Sequence, residues 1–213
     1  MPGVTISAGY GTGGSRIAQL VADQLALPLL DRAISTEVAA QLHVSVSEAQ
    51  DAEFSRSFAD RFLGLLAPLS SGVLGAGTDA APAQAFPPPD DAELFREQAE
   101  TIMRQSLETG AVILGRAGGA AFGNEADVLR VRLYGPTRAR ILHAARNQDV
   151  TVDVAAQRLP EVDNARAQYV RRLYHVDIDD PDLYVLQLDS TVLDEPTCAR
   201  IIAEAYDALR QPV

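Results

Sequence analysis

A glycine-rich turn near the N-terminus has the composition of a phosphate site. An apolar run over residues 4–7 leads into Gly9-Tyr10-Gly11-Thr12-Gly13-Gly14-Ser15-Arg16 and then into a helical apolar pattern. Glycines adopt positive φ readily, so the backbone N–H groups can curl around an oxyanion at the N-terminus of the helix, where the dipole also favours negative charge. The alternative is a glycine-rich turn without a ligand. The pattern predicts phosphate binding by Gly11, Thr12, Gly13, Gly14, Ser15 and Arg16, with the Ser15 hydroxyl placed to approach Mg²⁺.

The lysine of the usual G-x-x-x-x-G-K-[ST] phosphate loop is missing from this turn. Gly14 stands in its position, and the 18 basic side chains of the whole chain are all arginines. Any charge that clamps the phosphates must therefore come from guanidinium groups, whose planar fork matches phosphate oxygens. Arg16 is the nearest such group in sequence.

Arg116 follows the apolar run 111–114 directly, between Gly115 and the pair Gly118-Gly119. A ligand crevice in an open parallel sheet lies outside the carboxyl ends of the strands. We therefore expect Arg116 to hold an anionic substrate there. The alternative is an arginine that pairs with a structural carboxylate at the sheet edge.

Basic groups are concentrated in the second half of this acidic chain. Asp163, Arg166 and Tyr169 are spaced by three residues, so one helix face can hold them together. A solvated helix face is the alternative, and a cationic flap over phosphoryl groups is the functional interpretation. The arginines concerned are Arg138, Arg140, Arg146, Arg158, Arg166, Arg171 and Arg172.

Asp31 and Arg32 come just after the second apolar run. They can hold a base, a ribose or a second phosphate. Asp31 is equally suited to cap the N-terminus of the next helix. Taken alone, the pair favours the cap.

The elements that would position these residues alternate between strand and helix. Apolar runs predict strands over 4–7, 27–30, 111–114, 128–134 and 183–189. Helical spacing predicts helices over 15–26, 32–42, 47–66, 91–109, 136–147, 152–174 and 195–210. This alternation predicts a five-stranded parallel sheet with right-handed crossovers and helices on both faces.

The segment 68–91 differs from the rest of the chain. It carries Ser70-Ser71-Gly72, Gly75-Ala76-Gly77 and Pro87-Pro88-Pro89, with little periodicity. We predict a flexible surface loop here, acting as a passive linker or as a functional lid. In the preceding helix, Phe54, Phe58, Phe62 and Leu65 have apolar spacing that favours core and is also compatible with a homodimer contact.

The amino-acid composition limits the number of domains, the partners and the location to be expected of this chain. The 213 residues suit one domain, with 47% hydrophobic and 22% charged residues. A net charge of −11 argues against nucleic acid or an anionic membrane as partner. Without a signal sequence or an 18-residue apolar run, a cytoplasmic location is expected. The lone Cys198 permits no internal disulfide, and His43, His143 and His175 lack metal-ligand spacing.

Several segments taken in order resemble the cytidylate kinase-like group of P-loop nucleotide kinases. Besides the glycine-rich opening, they include 29–34, 112–118, 129–133, 163–172, 180–184 and 188–191. The resemblance implies a single P-loop kinase-like domain over 1–213, with three layers and the five-stranded sheet. It also implies a helical acceptor-side insertion over 43–92, containing the loop 68–91, and an arginine-rich lid over 140–175.

The activity implied by this resemblance is phosphoryl transfer from ATP, with Mg²⁺, to a nucleoside monophosphate, CMP or dCMP before others. On the family's pattern, the catalytic residues are Arg116, Arg140, Arg166, Arg171, Arg172 and Asp163, and the acceptor is held by Asp31, Arg32 and Arg116. The departures are Gly14 for lysine, Ala8 for the first glycine and Ala117 for an acidic residue. Two other functions stay open, a regulatory nucleotide-binding protein without catalysis and a kinase for a non-nucleotide acceptor.

Overall fold

The structure, a computed structural model, describes residues 3–30, 92–123 and 125–210. Five strands and six helices follow one another in this part of the chain. The strands are β1 (Gly3–Ala8), β2 (Leu29–Leu30), β3 (Val112–Leu114), β4 (Val128–Tyr134) and β5 (Leu186–Asp189). The helices are α1 (Gly14–Leu25), α2 (Ala92–Glu108), α3 (Gly118–Ala121), α4 (Thr137–Asn147), α5 (Val152–Tyr174) and α6 (Glu195–Arg210), with a 3₁₀ turn at Pro181–Leu183.

The strands form one parallel sheet in the order β2-β3-β1-β4-β5. The predicted five-stranded parallel sheet with helices is therefore confirmed. β1 lies in the centre, and its carboxyl end faces the edge where β3 and β4 also end. Parallel strands place their following turns at that one edge, which is where a ligand binds in such folds.

Two apolar clusters cover the sheet, one on each face. Val4, Ile6 and Ala8 of β1 point towards α1 and α6, where they join the largest cluster. On α1 the buried residues Ile17, Ala18, Val21 and Ala22 recur with helical period, which explains why this sequence folds as a helix on the sheet. A second cluster, including Met103 of α2 and Phe122, covers the opposite face around Ile113.

The second face of the sheet is polar near the carboxyl end of β1. Because side chains alternate along a strand, Thr5 and Ser7 point away from the large apolar cluster. Arg132 lies opposite Ser7 in the pairing of β1 with β4. A third cluster of Tyr10, Ala144, Ala155, Leu159 and Val162 joins the glycine-rich turn to α4 and α5.

Three boundaries differ from the sequence predictions for local reasons. Strand β2 is shorter than 27–30 because the N–H of Leu27 bonds to Ala22 at the end of α1 and Pro28 has no N–H. Strand β5 begins after 183 because the Asp180 side chain accepts from Asp182 and caps a 3₁₀ turn. The short helix α3 was not predicted, since its sequence of glycine and alanine has no apolar period.

Several predictions lie outside the described residues. They are the helices over 32–42 and 47–66, the insertion over 43–92 up to the start of α2, the loop 68–91, the aromatic helix face and the pair Asp31-Arg32. Among the described residues, no helix is both long enough and apolar enough to cross a membrane.

Candidate functional site

The glycine-rich turn joins the carboxyl end of β1 to the N-terminus of α1. Gly11 and Gly13 adopt left-handed conformations with φ of 75° and 70°, and Gly13 is the N-cap of α1. Since glycine has no side chain with which to cap, the first-turn N–H groups are left for water or an anion. Ser15 and Arg16 are exposed at this end of the helix. This is the geometry of an anion site at a helix N-terminus.

Hydrogen bonds inside the molecule hold the turn in place. The Thr12 side chain is fully buried, and its hydroxyl donates to the Gly9 carbonyl at 2.8 Å. The Ser190 hydroxyl, just after β5, donates to the Thr12 carbonyl at 2.8 Å. Thr12 would therefore contribute its backbone rather than its hydroxyl to a ligand. The loop is preorganised, as an electrostatic site requires.

A carboxylate from α5 binds the backbone of this turn. The N–H of Tyr10 donates to Asp163 Oδ1 at 2.8 Å, and the second oxygen of Asp163 accepts from Arg140 Nη2. Arg140 is only 8% exposed, although it is charged. A buried guanidinium is costly unless it is paired, so the Asp163 pair is what holds this charge beside the loop.

Gly9 makes the close approach of Arg140 possible. A Cβ at position 9 would collide with Nη1 of Arg140 and lie 3.3 Å from its Cζ. The guanidinium therefore rests directly on the backbone of the turn, in space that a larger residue would occupy. The chain thus places an arginine, paired with Asp163, against the glycine turn.

Helix α5 brings the predicted face of Asp163, Arg166 and Tyr169 to the site. Nη1 of Arg166 donates to the Ala8 carbonyl at 2.7 Å, at the last residue of β1. Burial raises the pKa of Tyr169 to about 12, and nearby Arg116 opposes this rise. Tyr169 and Arg116 are therefore close in space although they lie on different elements.

Arg116 sits in a strained turn at the end of β3. Gly115, Arg116 and Ala117 all have positive φ, at 77°, 53° and 55°. Non-glycine residues in this region cost roughly 1–2 kcal/mol each, so the surroundings must impose the conformation. The N–H of Gly115 donates to the Ile6 carbonyl at 2.8 Å and ties the turn to β1. Strain of this kind is typical of functional turns.

Two of the predicted arginines are exposed and lie beside carboxylates. Arg16 lies 3.9 Å from Glu195 of α6 and its side chain is 68% exposed. Arg171 is also exposed and lies 3.3 Å from Asp177. Arg140, which the sequence placed among the lid arginines, lies against Gly9 of the glycine turn.

Sequence reasoning missed several residues around the turn. His143 Nδ1 lies 2.8 Å from the Gly11 carbonyl, and Glu195 Oε1 would lie 3.0 Å from a Cβ at Gly13. Arg132 donates to Ser7 and Asp179. The signal for Arg132 was present, because a charged residue alternates with apolar ones on an internal strand. The signal for His143 was absent, since one scattered histidine carries no pattern.

No ready-made metal cage is found in residues 3–30, 92–123 and 125–210, where no three His, Cys, Asp or Glu side chains group suitably. Mg²⁺ keeps much of its water when bound to proteins and is held chiefly by substrate phosphates. The Ser15 hydroxyl at the start of α1 is exposed and is compatible with such an ion.

The strand order and the glycine turn at the end of the central strand define an α/β protein of the P-loop kinase class. The model of the cytidylate kinase-like family matches residues 3–192. The chain belongs to that family.

The curated relatives that this chain matches share low sequence identity with it. The cytidylate kinase of Pyrococcus furiosus is 31% identical over 57% of this chain and 60% of its own length. The cytidylate kinase of Thermoplasma acidophilum is 22% identical over 56% of this chain and 63% of its own length. The matches thus span about three fifths of these relatives. A solved structure of an uncharacterized protein from Eubacterium ventriosum is similar in fold, with a TM-score of 0.59, 15% identity, and 97% of this chain and 98% of that chain covered.

Proposed function

We propose that this protein transfers a phosphoryl group from ATP to a nucleoside monophosphate, CMP or dCMP before others. The observation that carries the proposal is the buried Arg140 on the glycine turn, paired with Asp163, which itself binds the Tyr10 N–H. Membership of the cytidylate kinase-like family supports the reaction class. The names of the curated relatives support the choice of cytidine nucleotides.

Phosphoryl transfer depends on positioning and on neutralising charge, with little covalent chemistry for the protein. The backbone of Gly11–Ser15 would hold the donor phosphates at the N-terminus of α1. Arg140 would supply the charge that lysine supplies in the usual loop. Mg²⁺, bound through the phosphates and the Ser15 hydroxyl, would neutralise charge on the donor.

The acceptor would lie on the other side of β1. Arg116, in the turn after β3, would hold its phosphate at the carboxyl edge of the sheet. Arg166 on α5 would screen the transferring group from beside Ala8. Asp31, Arg32, Arg171 and Arg172 complete the proposed set as acceptor and lid residues. Closure of the lid would exclude water, which otherwise competes for the phosphoryl group.

The test is ADP formation from ATP and Mg²⁺ in a coupled assay with CMP, dCMP, UMP, AMP and GMP. We expect turnover with at least one cytidine nucleotide. Arg140→Met should lower kcat by roughly 10²–10³, the usual cost of losing one positioned charge. Arg146→Met, on the exposed side of α4, is the matched control and should retain activity. Silence with every acceptor would contradict the proposal.

One observation favours a second candidate. Gly14 stands where the usual phosphate loop has its lysine. A protein that binds nucleotides without turnover would need no lysine. Calorimetric binding of ATP or CMP with no ADP formation would select this regulatory function.

A further inference from the structure

Arg132 is a buried charge that the proposed reaction does not yet use. It lies on β4, opposite Ser7 of β1, and is 8% exposed. It points to the polar face of the sheet, away from the large apolar cluster. Placing a guanidinium inside a sheet costs several kcal/mol of desolvation unless partners compensate. Its partners therefore show what the position is built for.

The partners of Arg132 differ in their exposure to solvent. Nη1 donates to the Ser7 hydroxyl at 3.0 Å, and the guanidinium stacks 6.0 Å from the centre of the Tyr184 ring. Nη2 donates to Asp179 Oδ1 at 2.6 Å. The Asp179 side chain is 75% exposed, whereas that of Arg132 is 10% exposed. The arginine is thus fixed inside the fold, while its counter-ion stands at the surface.

Ser7 and Tyr184, which contact the Arg132 guanidinium, are held by contacts that do not involve the Asp179 side chain. The Tyr184 hydroxyl donates to the Ile178 carbonyl at 2.7 Å and lies 3.3 Å from the Ser7 hydroxyl. The Tyr184 ring also packs on Gly119 of α3, where a Cβ would approach to 2.8 Å. Ser7 and Tyr184 would therefore keep Arg132 oriented if Asp179 moved away.

The position adjoins the other arginines of the site. Three consecutive residues of β1 are contacted here: the Ile6 carbonyl by the Gly115 N–H, the Ser7 hydroxyl by Arg132 and the Ala8 carbonyl by Arg166. Contacts from three separate elements thus converge on the last residues of the central strand. Two of these contacts come from guanidinium groups, whose planar fork matches phosphate oxygens.

We propose that Arg132 is an acceptor-binding residue and that Asp179 is an internal placeholder, displaced by the phosphate group of the acceptor. This inference rests on the proposed function, because it assigns the acceptor side of the same site. The carboxylate neutralises Arg132 while no substrate is bound. The incoming phosphate then accepts the hydrogen bonds of the Arg132 guanidinium, and the Asp179 carboxylate is released to water.

A purely structural pair would behave differently. In that case the Asp179 side chain only holds the segment 175–180 against the sheet. Its loss then lowers the free energy of unfolding without changing ligand affinity. The placeholder competes with the ligand, so its removal strengthens binding of a phosphorylated acceptor only. The change in affinity for the monophosphate therefore distinguishes a placeholder from a purely structural ion pair.

The experiment measures dissociation constants by calorimetry for a nucleoside monophosphate and for its unphosphorylated nucleoside, CMP and cytidine first, then the other monophosphates. Asp179→Asn should bind the monophosphate about two- to fivefold more tightly, the range for losing one exposed ion pair, and bind the nucleoside as the wild type does. Arg132→Gln should weaken the monophosphate about tenfold or more. Glu204→Gln removes the same charge from an exposed pair with Arg200 on α6 and should change neither constant.

Thermal melting of each variant checks that it is folded, and Ser7→Ala offers a milder change if Arg132→Gln unfolds the chain. Unchanged or weaker monophosphate binding by Asp179→Asn overturns the inference, and so does equal tightening of the nucleoside. If the wild type turns over an acceptor while the variants bind the monophosphate as the wild type does, only the inference about Arg132 and Asp179 fails, and the kinase proposal stands. If the variants shift binding but no acceptor is turned over, the kinase proposal fails and the binding site stands. If no monophosphate binds the wild type, both fail.

Discussion

At the scale of single residues, this site depends on positions where a side chain is missing. Gly9 leaves space for the Arg140 guanidinium, and Gly11 lets the turn pass against the backbone of α4. The two glycines therefore have different roles. Gly9 admits a charge, whereas Gly11 admits a chain conformation, because its φ of 75° is unfavourable for other residues.

Alanine at each position should separate these roles. Gly9→Ala meets the far end of a flexible side chain, so we expect it to fold but to displace Arg140 and lower ATP affinity at least tenfold. Gly11→Ala collides with the carbonyl of Arg140 in the backbone and forces alanine into a left-handed conformation. That conformation alone costs about 1–2 kcal/mol of the free energy of unfolding.

The measurements are urea unfolding and calorimetric titration with ATP, with and without Mg²⁺. Gly123→Ala is the control, because the nearest atom to its Cβ would be 3.6 Å away. Wild-type ATP affinity in Gly9→Ala would mean that Arg140 does not serve the donor site.

At the scale of residues, the sequence predicted the types of the candidate functional residues better than the contacts between them. The glycine turn and Arg116 could be found from the sequence because each lies beside the strand that positions it. The pairing of Arg140 with Gly9 could not, since it depends on how α4 packs over a turn far away in the chain. Arg16 is the arginine nearest to the turn in sequence, and its exposed side chain lies 3.9 Å from Glu195.

At the scale of elements, α5 is the part that joins donor and acceptor sides. Its 23 residues carry Asp163 to the glycine turn and Arg166 to the end of β1. The helix contains Pro160, which cannot donate a hydrogen bond to the carbonyl four residues earlier. A proline three residues before Asp163 therefore weakens the helix beside its most important contact.

Pro160→Ala should stabilise the protein for this reason. An alanine restores the missing N–H, and the difference in helix propensity has an upper limit of about 3 kcal/mol. We expect the free energy of unfolding to rise by about 1–3 kcal/mol in urea titrations. Gln168→Ala, at another exposed position of α5, is the control and should stay within about 0.5 kcal/mol of wild type. A loss of stability in Pro160→Ala would show that the packing of α5 requires the proline.

Most elements were predictable, because burial leaves a periodic record in the sequence. The bounds of β4, α5 and α6 agree with the predicted 128–134, 152–174 and 195–210. The predictions were wrong where capping overrides apolar pattern, as at Asp180-Pro181 before β5. They also failed for α3, which exists because Gly118 and Gly119 can approach Thr5 and Tyr184 closely.

At the scale of the whole molecule, Tyr169 reports how α5 sits on the turn after β3. Burial raises its pKa to about 12, while Arg116 acts in the opposite direction. A phenol whose pKa is raised on folding adds stability that is fully present below pH 10. As the pH rises from 10 towards 12, the unfolded chain ionises first and the stability is lost. The loss corresponds to about 2.7 kcal/mol for two pKa units.

Two variants should reveal this linkage. Tyr169→Phe has no phenol to ionise, so its free energy of unfolding should fall less steeply than that of wild type between pH 10 and 12. Arg116→Met removes the charge that favours the phenolate, so the pKa of Tyr169 should rise further. Ultraviolet titration of tyrosinate, taken as the difference between each protein and its Tyr169→Phe counterpart, measures both. A Tyr169 that titrates at the ordinary value, or that ignores Arg116, would mean that α5 does not pack against the turn after β3. Arg116 would then lack its place beside α5 in the proposed acceptor site.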